Sequence, residues 1–87
     1  MPYIIAVYDV DADRTHLFLK LFRRYLTHIQ NSVLEGFITD GRLQRLRGEI
    51  EALLEPHESV LIYEVSSEDY VDRTVFGTDP KADDTFL

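Results

Sequence analysis

Tyr3-Ile4-Ile5-Ala6-Val7-Tyr8-Asp9-Val10 decides how the rest of the chain is read. Residues 3–6 are consecutively apolar and rich in aromatic and β-branched types, which predicts a central strand covered on both faces. Asp9 breaks the run at its carboxyl end, and Asp11 and Asp13 follow at alternating positions. A carboxylate is uncommon in a buried strand unless it is paired, hydrogen-bonded or bound to a cation. What Asp9 faces is therefore the functional question.

Pro2, with its fixed φ and no amide donor, suits the edge of this strand. After it, Asp13 or Thr15 is a candidate helix cap, and the cap reading also leads for Asp11. Phe18, Phe22, Tyr25 and Ile29 then recur at the helical period, with Leu17 and Leu21 beside them. Over residues 27–38 the pattern becomes extended. Asn31-Ser32 either divides two short strands or bends a single one. Thr39 or Asp40 caps a second helix carrying Leu43, Leu46, Ile50, Leu53 and Leu54, with Arg45–Glu49 and Arg47–Glu51 as i,i+4 pairs, and Pro56 ends it. Ser59-Val60-Leu61-Ile62-Tyr63-Glu64-Val65 is the second strong strand. Arg73-Thr74-Val75-Phe76 is a short last one, ended by Gly77.

This order predicts an α+β fold, a ferredoxin-like two-layer sandwich with two helices on one face of an antiparallel sheet. Residues 1–78 form the domain and residues 79–87 an acidic tail. A chain of 87 residues holds one modest core, and its 45% hydrophobic content is generous for that size. With two helices to cover one face, the other needs a partner, and a homodimer through the sheet is expected.

The chain has no cysteine, which excludes disulfides and thiolate chemistry and makes a reducing compartment, the cytoplasm, the expected location. The apolar start is too short and too soon interrupted for a signal peptide or membrane span. The net charge of −7 argues against a general nucleic-acid coat protein. Its distribution is polarised, however: residues 1–47 carry seven basic against five acidic side chains, and residues 48–87 two against eleven.

Asp9 is the leading candidate for chemistry. At the tip of a core strand it either receives loop or helix amides or holds a hard cation such as Mg²⁺, with a twofold axis supplying a second copy. Tyr8, Asn31 and Ser32 are strand-end groups able to hold a phosphate or orient a water, beside their ordinary turn and edge roles. Arg14, Lys20, Arg23 and Arg24 form a basic patch suited to backbone phosphates, a pattern that solvated helix faces also show. His16, His28 and His57 show no metal-ligand spacing. There is no hydrolase elbow and no glycine-rich phosphate loop.

The strand 4–10, the segment Arg23-Arg24-Tyr25-Leu26-Thr27-His28-Ile29-Gln30-Asn31-Ser32-Val33-Leu34-Glu35-Gly36 and the strand Ser59-Val60-Leu61-Ile62-Tyr63 together resemble the CRISPR-associated endoribonuclease family, the smaller of two proteins that capture new spacers. The resemblance implies a ferredoxin-like homodimer whose Asp9 residues face each other across the interface. It implies metal-dependent cleavage of single-stranded RNA or double-stranded DNA, with Asp9 as the catalytic and metal-binding residue and Mg²⁺ as cofactor. It also implies a scaffold role, alternative or additional, in which the dimer bridges subunits of the larger CRISPR integrase and supports DNA. In the family the C-terminal extension joins sheet edges and partner contacts, which gives Val75-Phe76 and Phe86-Leu87 a purpose. Outside the family, the fold also suits a small regulatory dimer that binds a metabolite.

Overall fold

A computed structural model describes residues 1–66, 72 and 74–78. The order is β1 (Tyr3–Asp9), a single 3₁₀ turn (Ala12–Arg14), α1 (Thr15–Arg23), β2 (Thr27–Gln30), β3 (Val33–Phe37), α2 (Asp40–Leu53) and β4 (Ser59–Val65). The four strands form one antiparallel sheet in the order β2-β3-β1-β4, so the opening strand is central, as its apolar run predicts. This is the ferredoxin-like α+β architecture.

Strand alternation sorts β1 into two faces. Ile4, Ala6 and Tyr8 are buried in the core with Leu34, with Phe18, Leu21 and Phe22 of α1 and with Leu43, Leu46 and Ile50 of α2. Tyr3, Ile5, Val7 and Asp9 point to the other face. There Tyr3 is buried, packs edge-on against Phe37 with ring centroids 4.9 Å apart, and donates its hydroxyl to Glu35 Oε2 at 2.7 Å. The same face exposes large apolar groups: Phe37 is 48%, Leu61 53% and Tyr63 56% accessible.

The structure decides for two strands in residues 27–38. Asn31 takes the left-handed region at φ 45°, which asparagine tolerates better than most side chains. The register shifts between His28 and Gln30, marking a bulge at Ile29. His28 Nε2 donates to the Asn31 carbonyl at 2.8 Å and braces the turn. The helical period through Tyr25 and Ile29 is thus misleading. α1 stops at Arg23, where the Tyr25 and Leu26 amides both bond to the Phe22 carbonyl, and Ile29 belongs to β2.

Thr39 caps α2 as expected, its hydroxyl accepting from the Arg42 amide at 3.2 Å. The caps expected before α1 do not form. Arg14 precedes the helix without a side-chain cap, Thr15 donates its hydroxyl back to the Ala12 carbonyl, and Asp11 is held by a distant histidine. Nor do the i,i+4 pairs of α2 form: Glu49 turns to Arg24 and Tyr25, and Arg47 lies 3.8 Å from Glu64. Cross-element partners win because they tie separate elements together, whereas exposed helix pairs contribute little. Of the expected last strand, residues 74–76 are not in a strand, and Phe76 is 92% exposed. Residues 79–87, including Phe86 and Leu87, lie outside the described residues.

Candidate functional site at the end of the first strand

Asp9 sits at the last position of β1, opposite Ser59, the first residue of β4. It is exposed, and among the described residues no hydrogen bond or ion pair occupies its carboxylate. The expectation that loop or helix amides hold it has no counterpart among those residues.

Its neighbours in sequence are committed. Arg14 reaches across 44 residues to Glu58, with Nε 2.7 Å from Oε2 and Nη2 3.2 Å from Oε1, and also donates to the Leu53 carbonyl at 2.7 Å. Glu58 takes the Glu55 amide at 2.9 Å. The Arg14 bond, followed by that amide, holds the Glu58 pKa down at about 2 against desolvation. Beside it His57 Nε2 lies 2.6 Å from Asp11 Oδ2, and that bond raises the histidine pKa. Asp11, His57 and Glu58 lie close enough to share an ion, but the glutamate oxygens are already satisfied by arginine and amide. The pairs staple the loop after β1 to the loop before β4, which fixes the strand end that carries Asp9.

The pairs predict a stability optimum. Glu58, depressed from 4.5 to about 2, contributes fully above about pH 4.5, and its contribution is lost as pH falls through about 2. His57, raised from 6.5, contributes fully below about pH 6.5, and that contribution is lost as pH rises through its higher folded value. Thermal unfolding across pH should show both declines, and His57→Gln should remove the alkaline one. An unchanged alkaline limb in that variant would show that the Asp11 pair carries no stability.

Tyr8, Asn31 and Ser32 come together, but not beside the Asp9 carboxylate. Being adjacent in β1, Tyr8 and Asp9 point to opposite faces. Tyr8 lines a cleft of about 430 Å³ with Asn31, Ser32 and three residues that sequence reasoning missed as site residues: Thr15, His16 and Leu19. The Tyr8 amide bonds to the Ser32 carbonyl at 3.2 Å, and burial raises the tyrosine pKa. The available signal was topological: the helix after β1 folds back over that strand's end, where the β2–β3 turn must also lie.

The basic residues divide into two groups. Arg14 is bound as above. Arg24 holds Glu49 at 3.0 and 3.4 Å, Tyr25 donates its hydroxyl to the same carboxylate, and Arg42 bonds the Arg24 carbonyl at 2.8 Å while lying over the Tyr25 ring. These contacts tie the end of α1 to α2. The hydrogen bond to Glu49 raises the Tyr25 pKa, and the bond from Tyr25, with Arg24 adding to it, lowers that of Glu49. Lys20 and Arg23 make no ion pair among the described residues and remain available to an anionic ligand.

No described helix is long and apolar enough to cross a membrane. Residues 1–73 match the model of the family described as CRISPR associated protein Cas2. A CRISPR-associated endoribonuclease Cas2 of Haloferax volcanii is 43% identical over 74 residues, covering 85% of this chain and 86% of its own. That of Thermotoga maritima is 37% identical over 86 residues and 98% of each chain. A crystal structure of Cas2 superposes with a TM-score of 0.82 at 36% identity, covering 90% of this chain and 88% of the other. On a match spanning the sheet, both helices and the Asp9 strand end, the chain belongs to the Cas2 family of CRISPR-associated proteins.

Proposed function

We propose that this protein is a homodimeric, metal-dependent endonuclease that cleaves phosphodiester bonds of single-stranded RNA or double-stranded DNA in the cytoplasm during CRISPR spacer acquisition. The observation that carries this reading is the exposed, uncommitted Asp9 carboxylate on a stapled strand end. The name endoribonuclease, borne by the relatives, supports the reaction class.

The donor chemistry at Asp9 fits a hard divalent cation such as Mg²⁺, which takes oxygen ligands and keeps several waters. Asp11 and Glu58 are already engaged, so one chain offers Asp9, and a second chain related by a twofold axis would offer its copy. Once bound, such an ion supplies charge neutralisation at a phosphodiester oxygen and lowers the pKa of a coordinated water. The protein's part is to hold the carboxylate in place through the Arg14–Glu58 staple and to draw the polynucleotide backbone to Lys20 and Arg23. The exposed Phe37, Leu61 and Tyr63 favour pairing through the sheet face on which Asp9 lies.

A noncatalytic reading draws on the same apolar face and on the single uncommitted carboxylate, Asp9, that each chain brings to the strand end among the described residues. In it the dimer bridges copies of the larger CRISPR integrase and supports DNA, with Phe86 and Leu87 contacting that partner. Labelled single-stranded RNA and duplex DNA, incubated with purified protein and either Mg²⁺ or a chelator, separate the two. The nuclease reading expects products with Mg²⁺ and none with chelator. Intact substrates in both conditions, with the protein folded, would leave the scaffold.

A further inference from the structure

The cleft over Tyr8 has a lining unlike that of the Asp9 end. Tyr8, Thr15, Asn31 and Ser32 bring three hydroxyls and one carboxamide, His16 an imidazole and Leu19 an apolar wall. Among the described residues no lysine, arginine, aspartate or glutamate lines it. A phosphate site wants cationic or clustered amide donors, and a hard-cation site wants carboxylates. Neutral groups that both donate and accept, set beside an apolar wall, instead match the edge and face of a planar heterocycle. About 430 Å³ lies within the roughly 300–1,000 Å³ typical of small-molecule sites.

A second observation points to a ligand. Tyr8 is only 4% exposed, and its ring is held against Phe18 and Phe22 with centroids 5.8 and 5.7 Å away. Among the described residues nothing bonds its hydroxyl, although a buried polar group normally has a partner. Tyr8 thus lines the cleft with its ring held fixed and its hydroxyl's bonding capacity unused among the described residues. Lys20 and Arg23 follow His16 and Leu19 by four residues on α1, one turn beyond the cleft, and neither is in an ion pair among the described residues.

We propose that this cleft receives one unstacked nucleobase of a single-stranded nucleic acid, its edge bonded by Tyr8, Asn31 and Ser32, its face against Leu19, and its flanking phosphates near Lys20 and Arg23. The proposal rests on the reading that the protein acts on nucleic acid, and it favours the single-stranded substrate, because a base inside a duplex cannot enter such a cleft. Cleft and Asp9 lie on opposite faces of β1, so a strand would pass around the strand end from one to the other.

Metal-free, isotope-labelled protein titrated with adenosine, guanosine, cytidine and uridine 5′-monophosphates tests this by amide chemical shifts, with ribose 5-phosphate as the baseless control. At least one nucleotide should shift Thr15, His16, Leu19, Asn31 and Ser32, while ribose 5-phosphate leaves them in place. Tyr8→Phe, which keeps the ring packing and removes the hydroxyl, should weaken that binding by about three- to tenfold. Equal shifts with ribose 5-phosphate, no shifts at these residues with any nucleotide, or unaltered affinity in Tyr8→Phe would each overturn the proposal. Because cleavage is not read, the two ideas fail separately. Metal-dependent cleavage without nucleotide binding removes only the cleft, and nucleotide binding without cleavage removes only the nuclease.

Discussion

Asp9→Ala is expected to lower Mg²⁺-dependent cleavage at least about a hundredfold, the scale on which removal of a preorganised electrostatic group acts, while leaving the fold intact. The fold should survive because Asp9 is exposed and no bond among the described residues depends on it. Its backbone pairing with Ser59 does not need the side chain. Asp9→Asn separates charge from shape and should be nearly as inactive, since an amide is a far weaker ligand for a hard cation than a carboxylate. The measurement is single-turnover cleavage of labelled RNA by wild type and both variants over a Mg²⁺ titration, with circular dichroism confirming folding. Equal rates in wild type and Asp9→Ala would move catalysis away from this strand end.

Leu61→Asp is expected to turn the proposed dimer into a monomer, weakening self-association at least about a hundredfold. Leu61 lies on β4 opposite Val7, on the face away from the helices, and is 53% exposed in the single chain. A charge there costs the isolated chain little. In a twofold interface it would be introduced twice, among Ile5, Val7 and Tyr63, without a partner. Sedimentation equilibrium should show the loss while circular dichroism stays unchanged. Cleavage should fall with dimer content and recover as protein concentration rises, because in the proposed function two Asp9 carboxylates meet only in the dimer. A variant that remains dimeric would place the interface on another face.

The two strongest strands were legible because their signal is local. Continuous apolar runs marked both β1 and β4, and the interruption at Asp9 singled out the residue on which the functional reading rests. Residues 27–38 stayed undecided between one strand and two because the Ile29 bulge spoils the alternation that would have marked a hairpin. Tyr25 and Ile29 prolonged a helical period past the point where the backbone had already turned. The capping role expected for Asp11 failed for another reason: its partner, His57, lies 46 residues away and enters only through tertiary packing. The same holds for Glu49, where a pair legible within α2 lost to Arg24 and Tyr25 of the neighbouring helix connection. His16 showed no metal-ligand spacing and carried no other site signal, since its place with Tyr8 in the cleft lining depends on how α1 lies across the sheet.

The central position of β1 has a consequence for the order in which the fold is made. The opening strand pairs on one side with β3 and on the other with β4, the last strand among the described residues. During synthesis from the amino terminus, only the β2–β3 hairpin and the two helices can form from nearby residues. Every pairing of β1 must close a long loop first, which is the slow step in folds dominated by distant contacts. Until residue 65 has emerged, the most apolar stretch of the chain keeps a bare backbone edge, the kind of edge on which nascent chains associate with one another.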